Sequence, residues 1–69
     1  MKHRDRKLLR KYRKFLEDRG IIYHTASMEG TYILKTDFYT TAWHHTLLSA
    51  YCEIVNHIKR FGTYSEKGE

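Results

Sequence analysis

Apolar and polar positions follow two rhythms along this chain, a helical one at both ends and a strand-like one between. From Arg4 to Arg19, Leu8, Leu9, Tyr12, Phe15 and Leu16 recur at helical spacing. At ~100° per residue they share one arc of about 120°. Arg6, Lys7, Arg10, Lys11, Arg13 and Lys14 occupy the opposite side. This pattern predicts an amphipathic helix, and Gly20, after Glu17-Asp18-Arg19, is its expected left-handed stop.

The rhythm changes at Ile21. Ile21 to Ala26 and Thr31 to Thr36 are rich in β-branched and aromatic residues, and Ser27-Met28-Glu29-Gly30 between them forms a turn in which Gly30 is free to take positive φ. A β-hairpin over Ile21 to Thr36 follows. The adjacent pairs Ile21-Ile22 and Ile33-Leu34 break strict alternation, so the register and the buried face stay open.

A second, longer helix is expected from Thr41 to Phe61, with Thr40 or Thr41 as N-cap and Gly62 as stop. Its apolar positions, among them Trp43, Leu47, Ala50, Tyr51, Ile54, Val55, Ile58 and Phe61, span about 160° of the circumference. One sheet face needs less. The helix therefore packs against both the hairpin and the first helix, or it meets a second copy in a homo-oligomer. Residues 63–69 read as a polar, disordered tail. The fold class is α+β, a small two-layer α-β-β-α domain over residues 1–62.

Size bears on stability. At 69 residues the chain buries only ~60% of the surface it exposes when unfolded. It has one cysteine, Cys52, so no internal disulfide can supplement the core, and a lone thiol suits a reducing compartment. No uninterrupted apolar stretch supplies a signal peptide or a membrane span. The expectation is a soluble, cytoplasmic protein.

Charge sharpens the picture. Residues 1–19 hold nine Lys or Arg against Asp5, Glu17 and Asp18, a net of +6, out of a formal +5 for the whole chain. The rest is near neutral. Cations crowd the N-terminal half of the first helix, where the macrodipole is already positive, which opposes local stability. The predicted binding residues are thus Arg6, Lys7, Arg10, Lys11, Arg13 and Lys14, a cationic face suited to phosphates or to an acidic protein or ribonucleoprotein surface. That face contains no Asn or Gln to read adenine edges, so nucleic-acid contact should be mainly to phosphate. Tyr23, Tyr32 and Lys35 are candidate accessory contacts if they face solvent. Laying the helix on a membrane would expose its Leu, Tyr and Phe side to lipid and strip the core.

Other chemistry finds little support. His44 and Cys52, eight apart on one helix, would stand about 12 Å apart and share no ion. His44 reads as a core histidine with one hydrogen-bond partner, and Glu53 with His57 as an i,i+4 surface pair. His45, Ser49, Glu53 and His57 form an i,i+4 stripe resembling a nucleophile with its base, but a ridge on an exposed helix lacks an oxyanion donor and a water-excluding cleft. No enzyme activity, cofactor or metal is expected. Tyr12, Phe15, Trp43, Tyr51 and Phe61 are expected in the core.

A double-stranded-RNA-binding domain also sets strands between two helices and places lysines on phosphates. It has three strands and a basic start to its second helix. Here two strands are expected, and the second helix opens Thr41-Ala42-Trp43-His44-His45 without Lys or Arg. The leading expectation is a non-enzymatic module binding nucleic acid or a ribonucleoprotein through its first helix. The alternative is a small phage-type inhibitor, anti-CRISPR-like, that blocks a host enzyme or defence nuclease by protein contact.

Overall fold

Residues 3–62 are described by the computed structural model; the predicted tail at 63–69 lies outside them. Helix α1 runs His3–Asp18 and stops at Gly20, whose φ is +70°. Its last carbonyls are closed in a Schellman pattern. The Gly20 N–H donates to Glu17 O at 3.0 Å and the Ile21 N–H to Leu16 O at 3.1 Å. Ile21 is thereby turned onto the core.

Strands β1 (Tyr23–Met28) and β2 (Thr31–Thr36) pair antiparallel, from Tyr23 opposite Thr36 to Met28 opposite Thr31. The hairpin starts two residues later than expected, because Ile21 serves the α1 terminus and Ile22 is left 70% exposed. The turn contracts to Glu29-Gly30, both at positive φ (+52° and +80°), the two-residue type I′ geometry that matches strand twist. Tyr23, Thr25 and Ser27 share the inner face with Tyr32, Leu34 and Thr36; His24, Ala26 and Met28 share the outer face with Thr31, Ile33 and Lys35.

The second helix departs from expectation. α2 spans Leu47–Phe61, with Thr46 as N-cap accepting from the Ser49 N–H, so neither Thr40 nor Thr41 caps it. Residues 40–44 instead run along the free edge of β2, in isolated bridges of Lys35 with Thr40 and Tyr32 with His44. The physical reason is the edge itself. Its N–H and C=O groups need partners, and they find the Thr41 N–H on Leu34 O (2.9 Å), the His44 N–H on Tyr32 O (2.8 Å) and the Thr41 hydroxyl accepting from the Leu34 N–H (2.9 Å). A helix over 41–46 would forfeit all three bonds. The sheet has the two strands expected from the sequence, and the bridges at residues 40–44 lie outside them. The charge contrast with the double-stranded-RNA-binding domain also stands, since α2 opens Leu47-Leu48-Ser49.

α2 packs against β2 on one side and α1 on another, the first of the two arrangements that its wide apolar arc suggested. The core is Leu16 from α1, Leu34 from β2, and Ala50, Tyr51, Ile54, Val55 and Ile58 from α2. Two expected core aromatics are corrected. Trp43, lifted out of the helix into the bridging segment, is 47% exposed, and Phe61, on the last turn, is 61% exposed.

Candidate nucleic-acid interface

Helix α1 is divided lengthwise. Leu16 is buried, and Leu9, Tyr12 and Phe15 pack on the core. Arg6, Lys7, Arg10, Lys11, Arg13 and Lys14 are all exposed. Their charges are largely uncompensated. Among the described residues the ridge has one ion pair, Lys14 Nζ to Asp18 Oδ2 at 3.6 Å, exposed on both sides and so weak. Because the apolar flank is anchored, the cations stand on a rigid element.

The structure brings one accessory candidate to this ridge and leaves two elsewhere. The Tyr23 hydroxyl meets the Arg13 guanidinium and raises its pKa above the ordinary value. The Tyr23 ring lies edge-on to Tyr51, centroids 5.7 Å apart. Burial, then the Tyr23 hydroxyl, pushes the Tyr51 pKa up. Tyr32 sits near the hairpin turn on the inner face, beside Leu47, and exposed Lys35 lies on the outer face.

Two further cations gather at Phe15, Arg19 from the end of the same helix and Lys59 through tertiary packing. The Arg19 guanidinium lies 3.6 Å from the Phe15 ring centroid, and Lys59 of α2 lies 5.7 Å from it. Phe15 neighbours Lys11 at i,i+4, so the positive surface continues past the ridge across this ring. The Arg19 contact has a local signal in its i,i+4 spacing from Phe15. Lys59 has none, because it arrives on another helix.

On the opposite side of α2, a groove of about 500 Å³ is lined by residues including Tyr39, His44, Glu53 and His57. Its centre is a clasp. Glu53 Oε2 accepts from the Tyr39 hydroxyl, while Oε1 accepts from the Ala42 N–H at 3.1 Å and lies 2.6 Å from His44 Nε2. Burial alone would raise the Glu53 pKa, but these donors outweigh it and hold the carboxyl below its ordinary value. His44 therefore has the expected hydrogen-bond partner, although it stands half-buried on the bridging segment instead of on a helix.

The expected Glu53–His57 pair is replaced. His57 stacks on Tyr39, ring centroids 3.8 Å apart, and its Nε2 is buried without a hydrogen-bond partner among the described residues. The His45-Ser49-Glu53-His57 stripe also dissolves, since His45 precedes α2 and Ser49 serves the N-cap through Thr46. Glu53 holds the 39–44 segment to α2, a structural task that uses both of its oxygens. Among the described residues no group of three or more His, Cys, Asp or Glu is placed to hold a metal ion, and no helix is long and apolar enough to cross a membrane.

No protein-family model matches the chain, and neither a curated protein nor a solved structure matches it.

Proposed function

We propose that this protein is a small non-enzymatic nucleic-acid-binding module of the cytoplasm, with Arg6, Lys7, Arg10, Lys11, Arg13 and Lys14 of α1 contacting phosphates. One observation carries the reading: all six cations are exposed on a helix whose other face is anchored in the core. Solubility alone does not require six cations on one helical face. A phosphate backbone does, because each neutralised phosphate releases condensed counterions. Arg19 and Lys59, gathered at Phe15, enlarge the same positive surface.

The test is a salt titration. With about five phosphates neutralised, log K against log salt falls with a slope near −4. Lys7→Glu with Lys11→Glu removes two contacts and adds two repulsions, and weakens binding by about 100-fold or more with helicity unchanged by circular dichroism. Binding insensitive both to salt and to this double variant would reject the proposal.

A further inference from the structure

The six ridge cations form two rows divided by residue type, and exposed Arg4, one turn before Lys7, extends the lysine row. Arg6, Arg10 and Arg13 follow i, i+4, i+7 along one flank of the outward face; Lys7, Lys11 and Lys14 follow the same spacing along the other. Each row covers about 10 Å of helix, and the two stand roughly 100° apart around the axis, placing their charged tips about 8–12 Å from each other. The rows cannot merge by rolling the helix, because Leu16, with Leu9, Tyr12 and Phe15, fixes the opposite flank in the core. Both rows end in acid. Glu17 continues the arginine row, and Asp18 continues the lysine row, where it pairs with Lys14. The free positive charge is thus concentrated N-terminal to Glu17.

This arrangement discriminates among nucleic acids. The major groove of B-form DNA is about 12 Å wide and admits one α-helix, so two rows on one helix face its two phosphate walls. The A-form duplex of RNA closes its deep major groove to side chains. Single strands are gripped by stacking bases on aromatic rings, and α1 presents none among its exposed residues, since Tyr12 and Phe15 are half-buried against the core and Arg19 covers the Phe15 ring.

We infer that α1 lies in the major groove of B-form duplex DNA, with the arginine row on the phosphates of one strand and the lysine row on those of the other. The inference rests on the ridge being a phosphate-binding surface. Guanidinium forks hold phosphates bidentately on the first wall, and ammonium groups act as point charges on the second.

The experiment is fluorescence anisotropy of the full chain at fixed ionic strength with a short DNA duplex, the RNA duplex of the same sequence and one of the DNA strands. The DNA duplex is expected to bind at least about tenfold tighter than either alternative. Neutralising one row at a time, with R6Q/R10Q/R13Q or K7Q/K11Q/K14Q, should reduce the salt slope by about 2 for each row, half of the whole. Circular dichroism checks that both variants stay folded. Equal affinity for all three nucleic acids, tighter binding of the RNA or the single strand, or a slope unchanged by removal of one row would overturn the groove placement while leaving phosphate binding standing. Failure to bind any of the three would overturn both.

Discussion

Glu53 is the residue on which the approach to α2 depends. Three donors, from Tyr39, Ala42 and His44, converge on its two oxygens, and they hold its folded pKa below the ordinary 4.5. The sign follows from linkage. A carboxylate with a depressed folded pKa contributes stability fully above its unfolded value and loses it as pH falls through the folded one. Glu53→Gln should therefore destabilise the domain at neutral pH by about 1–3 kcal/mol. Thermal melts from pH 7 downward should show the deficit shrinking once pH drops below the ordinary carboxylate range. A deficit constant with pH would assign the loss to packing instead of charge. The sequence showed Glu53 and His57 at helical spacing and suggested that they pair. Spacing identifies neighbours on one helix, but Glu53 takes its partners from residues nine to fourteen positions back, on a segment that spacing cannot place.

Among the elements, the hairpin turn and the start of α2 differ in how far local signals decide them. Gly30 marks the turn because positive φ is free only to glycine, and Glu29 beside it adopts φ +52° despite its Cβ. Asn tolerates this conformation better and makes the preferred Asn-Gly pair. Glu29→Asn should stabilise the domain by about 0.5 kcal/mol, read as a Tm increase of about 2–4 °C by calorimetry. The start of α2 has a local cap signal in Thr46, but Thr40 and Thr41 offer the same residue type upstream. The apolar period of Leu47 to Phe61 extends back through Trp43, so a helix from Thr41 satisfies the pattern. The edge of β2 competes for the same residues and holds them in an extended path.

At the scale of the whole molecule, α2 is the element on which the others assemble. Among the described residues it supplies five of the seven that are buried in the core, and it lies against both α1 and β2. Ile54 is fully buried at its centre. Ile54→Ala removes about 2–5 kcal/mol, comparable to the ~3–5 kcal/mol that a core this small supplies. The variant should show no cooperative thermal transition at or above 37 °C. The paired ridge variant Lys7→Glu with Lys11→Glu should melt close to the parent, since both side chains are exposed. This contrast separates the buried and binding faces of the molecule.

What the sequence by itself determined is whatever repeats or terminates within a few residues: α1 and its division into an apolar and a cationic flank, the two strands, and the glycine stops at 20 and 62. Side chains three and four apart on a helix share a face whatever the rest of the chain does, so the ridge was legible before any fold was known. The tertiary structure alone decided which hairpin face is buried, where α2 begins, which aromatics stay outside the core, and that Lys59 joins Arg19 at Phe15. Each of these depends on groups distant in sequence. The unpaired edge of β2 has to find hydrogen-bond partners, and the second helix has to cover two elements at once. Periodicity carries no record of either demand.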